Sequence, residues 1–246
     1  MLEDKQLKQF EEKGHLTVTA VFTAQEIEEA REDVRSWSDE FRRELNEEEK
    51  NWYLEDASDE EGPLRKLDLP VFQRKVFSKL AKKKLLVEMV EQLIGKGVTI
   101  IFSQIFLKPP ERGGPKPIHQ DNHYFGPDDK DALVTAWIAL DDATTANGCL
   151  YYGDGSHKES VLPHVAPPEE PFNLQVPETV SSKYAMAPAP VPKGGISFHH
   201  GNTLHQSGNN ESSKPRRALA CHYLRNNSRL TTPALPYDPS TFTRVT

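Results

Sequence analysis

In the stretch PIHQDNHYF, His119 and Asp121 stand two residues apart. On an extended segment residues i and i+2 point to the same side, so an imidazole and a carboxylate there can converge on one divalent metal ion. A further histidine from a distant strand would complete a two-histidine, one-carboxylate set, which suits iron(II) and leaves positions open for O2 and substrate. Taken alone, the spacing is also that of a surface histidine beside a turn aspartate. Candidates for the third ligand are His199, His200 and His205 in ISFHHGNTLHQSGNN. His205 is favoured because Arg216 follows it by eleven residues, at the start of the next apolar run. A hairpin can return that guanidinium toward the metal, where its planar fork suits the far carboxylate of a dicarboxylate co-substrate. His199 and His200 have no arginine at that spacing and read as one core-facing and one outward residue of a strand.

These side chains need a scaffold, and the 246-residue chain is long enough for one domain spanning 1–246. Residues 1–95 read mostly as helix. Thr23 and Glu26 have capping-box spacing, followed by an apolar stripe of Ile27, Ala30, Val34, Trp37 and Phe41. The acidic stretch 39–61 reads as a solvated helix end and surface loop. A second helix is expected from Val71 to Ile94, facing Val76, Leu80, Met89 and Leu93 inward, with Lys82, Lys83 and Lys84 outward and Gly95 as its stop. From Val98 to about residue 225, short β-branched and aromatic runs (VTIIFSQIFL, LVTAWIAL, GCLYY, GGISF, RALACHYL) alternate with turn signals. They point to a sandwich or jelly-roll barrel. The proline-rich segment 163–192 is expected to be a long loop, a lid or a substrate wall.

Thirty-seven acidic against thirty basic residues give a net charge of −7, which counts against a nucleic-acid partner. Two cysteines, Cys149 and Cys221, exclude a disulfide scaffold and a cysteine-rich zinc site. With no apolar run of about 20 residues and no signal-like N-terminus, a cytoplasmic protein without a membrane span is expected, as monomer or homodimer.

HQDNHYF, AWIALDD, NGCL with GSHK, and LHQSGNN with RRALACHY occur in order between about Phe10 and Tyr223. Together they resemble the phytanoyl-CoA dioxygenase family of iron(II)- and 2-oxoglutarate-dependent oxygenases. The resemblance implies a double-stranded β-helix, or jelly-roll barrel, with an outer helical layer, mainly β with flanking helices. It implies that His119, Asp121 and His205 hold Fe(II), and that Arg216 and Ser207 hold the C5 carboxylate of 2-oxoglutarate. Trp137, Gln104 and Lys66 fall at co-substrate-lining positions. The expected reaction consumes O2, converts 2-oxoglutarate to succinate and CO2, and hydroxylates an unactivated C–H of a small-molecule substrate; an intact Asp121 argues against halogenation. His123 and Tyr124 are candidate substrate contacts, His123 because on a strand it would share the face of Asp121. Gln104 has independent support: among Ile100, Phe102 and Phe106 on one strand face, a lone amide needs a partner. Lys108 shares that face but sits at a strand end, where it can reach solvent.

Two features depart from a simple transfer. Arg216 and Arg217 face opposite sides of a strand, so a one-residue slip would exchange them. Tyr152 and Asp154 in YYGDGSHK put polar groups near the barrel rim, where the family more often has an aliphatic residue and a proline. Two other functions compete: a cupin-like metalloenzyme that does not use 2-oxoglutarate, and a non-catalytic metal- or ligand-binding protein on the same barrel. The first would not need Arg216 and Ser207, and the second would be free to lose one of the three metal ligands.

Overall fold

The computed structural model describes residues 1–56, 58–59, 62–167 and 173–246. After α1 (Asp4–Lys13) and β1 (His15–Val18) the chain enters α2 (Ala24–Glu44). Its capping box is formed: Thr23 Oγ1 accepts the Glu26 amide and the Glu26 carboxylate accepts the Thr23 amide. Ile27, Ala30, Val34 and Trp37 are buried along its stripe. Each large side chain there gains about 1.5–3 kcal/mol by leaving water. The acidic stretch beyond is not all loop, because Asn46 and Glu49 form a second capping box that starts α3 (Glu47–Tyr53). Strand β2 (Lys66–Asp68) follows.

Where one helix is expected over 71–94 there are three: α4 (Pro70–Gln73), α5 (Lys75–Ala81) and α6 (Lys84–Ile94). Arg74 and Lys83 interrupt them with extended ψ angles of 125° and 123°. The apolar period survives both breaks, since Val76, Leu80, Met89 and Leu93 all pack on one core. Gly95, at φ 98°, ends α6. Lys82 and Lys84 are exposed, while Lys83 reaches Glu26 at 2.7 Å.

The remaining elements are β3 (Val98–Lys108), β4 (Lys116–His119), α7 (Asp121–Phe125), β5 (Leu133–Ala139), β6 (Leu150–Gly153), α8 (Glu178–Ser181), β7 (Met186–Ala189), β8 (Ile196–His200), β9 (His205–Ser207), β10 (Arg216–Arg225) and β11 (Thr243–Arg244). They form a jelly roll of two antiparallel sheets. The larger runs β1-β8-β5-β10-β3-β11, with β2 also on β3, and the smaller runs β4-β9-β6-β7. Of the proline-rich segment, residues 168–172 lie outside the described residues; among the described ones it contains α8, and its β7 pairs with β6. Among the described residues, no helix is long and apolar enough to cross a membrane.

Alternation along β10 separates the barrel interior from the helical layer. Arg216, Ala218, Ala220 and His222 face inward. Leu219, Cys221 and Tyr223 pack on the helix-side core. The two inward alanines leave room for a cavity. Strand β3 carries a bulge: Tyr223 opposes Ile100 but His222 opposes Phe102, leaving Ile101 unpaired. Phe102, Gln104, Phe106 and Lys108 consequently share the inner face, whereas Ile100 is turned into the helix-side core. Lys108 does not reach solvent; it is only 5% exposed.

Candidate metal centre

His119 ends β4, and β-pairing sets it directly opposite His205, which begins β9. Asp121 is the first residue of α7. The extended segment expected through all three residues of HQD therefore stops at Gln120, where strand turns into helix, and the side chains still converge. Gln120 fixes that corner by donating to Asn202 O at 2.7 Å and accepting the Leu162 amide at 2.7 Å. His119 Nε2 and His205 Nε2 lie 3.8 and 3.7 Å from Asp121 Oδ1. One ligand atom from each of the three falls within 4.8 Å of the others, a cluster able to hold one metal ion.

The tautomers suit that task. His119 Nδ1–H donates to Pro117 O at 2.7 Å and His205 Nδ1–H to Thr203 O at 3.0 Å, leaving each Nε2 lone pair free. Burial pushes both imidazole pKa values down, that of His119 well below its ordinary value, so both rings are neutral donors. Burial opposes ionisation of Asp121, but His205, the hydrogen bond from His199 and the nearby His222 ring outweigh it and hold the carboxyl well below its usual range.

Asp121 is oriented by groups other than the three ligands. Its Oδ2 accepts from Thr135 Oγ1 at 2.5 Å and from His199 Nε2–H at 3.0 Å, turning Oδ1 toward the histidines. Thr135 in turn accepts from His222 Nδ1–H at 2.8 Å. His199 Nδ1 accepts from the Tyr152 hydroxyl at 3.0 Å, and that hydroxyl accepts from Ser197 Oγ at 2.8 Å. Burial pulls His199 down to about 4, consistent with this neutral tautomer. His199 thus faces the core, as its strand position implies, but it also touches the carboxylate. Tyr152 is fully buried in this chain of hydrogen bonds and not at the rim. Asp154 instead accepts from His15 and Lys13.

A cavity of about 500 Å³ extends from the cluster to Arg216. The Arg216 guanidinium lies 5.4 Å from the Trp137 ring centre. Only 2% exposed, it leaves Nε and Nη1 without a hydrogen-bond partner among the described residues. Burial lowers its pKa to about 10, which leaves it charged near neutrality. A buried cation with unmatched donors is costly unless an anion completes it. Arg217 is already matched, donating from Nε and Nη2 to the Asp141 carboxylate at 2.7 and 2.9 Å.

Ser207 and Trp137 line this end of the cavity, and Gln104, Lys66 and Tyr124 line its walls. Gln104 and Lys66 are both held by Asp68, at 2.8 and 3.0 Å. Lys66 Nζ also sits 5.3 and 4.9 Å from the ring centres of Trp52 and Tyr53. Asp68 belongs to none of the motifs, and its one signal in the sequence is a spacing of two from Lys66 on one strand face. Tyr124 donates its hydroxyl to Leu174 O at 3.1 Å. His123 is not a cavity residue. Because 121–125 is helix, residue i+2 points about 200° away from Asp121, and the His123 ring stacks on His164 at 3.9 Å.

Fold and donor set together define a class: a jelly-roll barrel carrying a two-histidine, one-carboxylate cluster of the kind that suits non-haem iron. Residues 10–218 match phytanoyl-CoA dioxygenase (PhyH), and the chain belongs to that family. It is 31% identical to the peroxisomal phytanoyl-CoA dioxygenase of Homo sapiens over 147 residues, 56% of this chain but 43% of that protein. It thus spans less than half the length of that relative. A probable alpha-ketoglutarate-dependent hypophosphite dioxygenase of Stutzerimonas stutzeri is 26% identical over 226 residues, covering 89% of this chain and 77% of that one. Among solved structures, the alpha-ketoglutarate-dependent carbocyclase SnoK from nogalamycin biosynthesis superposes with a TM-score of 0.76 at 20% identity, over 100% of this chain and 97% of its own. EctD from S. alaskensis, crystallised with 2-oxoglutarate and 5-hydroxyectoine, gives 0.77 at 18% identity over 97% and 82% of the two chains.

Proposed function

We propose that this chain is an Fe(II)- and 2-oxoglutarate-dependent dioxygenase that hydroxylates a C–H bond of a small molecule. The observation that carries the reading is one cavity with a three-donor cluster at one end and an unmatched buried guanidinium at the other. His119, Asp121 and His205 would hold iron, and two neutral imidazoles with one anionic carboxylate fit a divalent ion. Bound iron with 2-oxoglutarate supplies the O2 chemistry that side chains cannot perform. Arg216, with Ser207 beside it, would fix the far carboxylate, and Trp137 would wall the chain between. Gln104 and Lys66, tied to Asp68, would shape the remaining wall together with Tyr124.

Substrate would occupy the part of the cavity bounded by Trp52, Tyr53, Phe102 and Tyr237. Its volume favours a small metabolite. The net charge of −7 disfavours nucleic acid and polyphosphate carriers such as an acyl-CoA. Two buried free cysteines suit a reducing compartment such as the cytoplasm. A cupin-like metalloenzyme would leave Arg216 without a partner. The test is succinate release from 2-oxoglutarate by the iron-loaded protein across a panel of small metabolites. Substrate-stimulated succinate that is lost in Asp121→Ala and Arg216→Ala is expected. Succinate formed equally well by Asp121→Ala would contradict the reading.

A further inference from the structure

Lys108 and Arg216 occupy directly opposed positions on β3 and β10, and both line the cavity. They are 5% and 2% exposed. Like charges placed opposite each other across a sheet repel, and among the described residues neither cation has a carboxylate as hydrogen-bond partner. Lys108 Nζ donates to Gly114 O, and Arg216 has two unmatched donors. The lysine stem is built into this place. A Cβ on Gly148 would sit 2.8 Å from Lys108 Cδ, and one on Gly113 would sit 2.6 Å from Lys108 Cβ. Both glycines thus let the aliphatic chain run inward against the backbone.

The other titratable groups at this end are few. Glu55, from the segment after α3, accepts the Gly114 amide at 3.2 Å. Burial raises its pKa, against the pull of Arg65, Lys108 and Arg216. Cys149 of the β6 side has its thiol pKa raised by burial and stays protonated. Asp141 is already bound to Arg217. Burial first, and Arg216 second, lower the Lys108 amine to about 7 against the upward pull of Glu55, so that much of it is neutral near that pH before a co-substrate carboxylate arrives.

We propose that Lys108 is a second recognition group for the far carboxylate of 2-oxoglutarate, and that it takes up a proton from solvent as that carboxylate arrives. This rests on the co-substrate reading above. An entering carboxylate turns the repelling pair into a two-cation clamp and favours the ammonium form. The sign follows: affinity for 2-oxoglutarate falls as pH rises above about 7, because each binding event must then draw a proton from solution. A keto acid without a far carboxylate draws none.

The test is calorimetry of 2-oxoglutarate binding to the Fe(II)-loaded protein under argon, in two buffers of different ionisation enthalpy. Proton uptake should be small at about pH 6 and approach one per site at about pH 8. It should vanish with pyruvate, and in both Lys108→Met and Lys108→Gln, the latter keeping a donor for Gly114. Glu55→Gln should retain it. Both Lys108 variants should bind 2-oxoglutarate about ten- to a hundredfold more weakly at the lower pH. Binding without proton uptake, uptake persisting in the Lys108 variants, or equal uptake with pyruvate would each overturn the proposal. Wild-type protein that holds iron yet binds no 2-oxoglutarate would instead overturn the co-substrate reading on which the proposal rests.

Discussion

At the residue scale, adjacent arginines make separable predictions. Arg216→Lys replaces a planar fork by a point charge and is expected to weaken 2-oxoglutarate binding about tenfold or more while leaving the melting temperature nearly unchanged. Arg217→Ala removes two side-chain hydrogen bonds from the buried Asp141 carboxylate and leaves it paired with Arg31 at 3.2 Å, which should cost about 1–3 kcal/mol of stability, with co-substrate affinity retained in the folded fraction. Denaturant unfolding and calorimetry on both variants check this; a reversed pattern would exchange their roles. Thr135→Val removes one of the two hydrogen bonds to Asp121 Oδ2 and is expected to lower metal affinity about 10–100-fold, read by competition with a chelator. His119, Asp121, His205 and Arg216 were legible because each is a polar type at a spacing with a chemical meaning. Thr135, His199 and His222 were not, since a threonine or histidine in an apolar strand looks like ordinary core until the facing strands are known. Lys108 was misread because a lysine at a strand end normally meets water, and only the cover provided by the loop at Gly113 and Gly114 prevents it.

At the element scale, the decisive piece is the five-residue helix α7, which aims Asp121. It is pinned from behind: the Asn122 amide donates to Gly201 O at 2.8 Å and Asn122 Nδ2 to Asn202 Oδ1 at 2.6 Å. A Cβ on Gly201 would lie 2.1 Å from Asn122 Oδ1. Gly201→Ala is therefore expected to displace α7, lower metal affinity about tenfold or more and reduce the melting temperature. Unchanged metal affinity would show that α7 does not need this anchor. The helix α2 and strands β3, β5, β6, β8 and β10 could be read from capping and alternation. The short helix α7 and the breaks at Arg74 and Lys83 could not, because four to seven residues carry too little periodicity to separate a turn of helix from a bend.

At the scale of the whole molecule, the barrel stores several neutral imidazoles away from water. His200 accepts the Asn202 amide at Nδ1 and donates from Nε2 to Asp131, and burial lowers its pKa to about 4. His164 is likewise lowered to about 4, again chiefly by burial. The unfolded chain binds protons at these rings near the ordinary value of about 6.5. Their stabilising contribution is therefore full above that value and is lost as pH falls from there toward about 4. The metal-free protein should show a falling melting temperature across that window; a constant or rising one would contradict the burial of neutral rings. The barrel itself was legible as a whole because turn signals separate its apolar runs, while α8 and β7 were hidden by the proline-rich composition around them.

On the proposed reading, one cavity joins a three-donor iron site to a carboxylate clamp. That reading is tested most directly by adding 2-oxoglutarate to the Fe(II)-loaded protein without oxygen and recording the visible charge-transfer band of the chelated keto acid. The account predicts a band in the wild type that disappears in His205→Ala and requires much higher co-substrate concentrations in Arg216→Ala. A folded, iron-loaded protein that gives no band, or a band unchanged in His205→Ala, would contradict it.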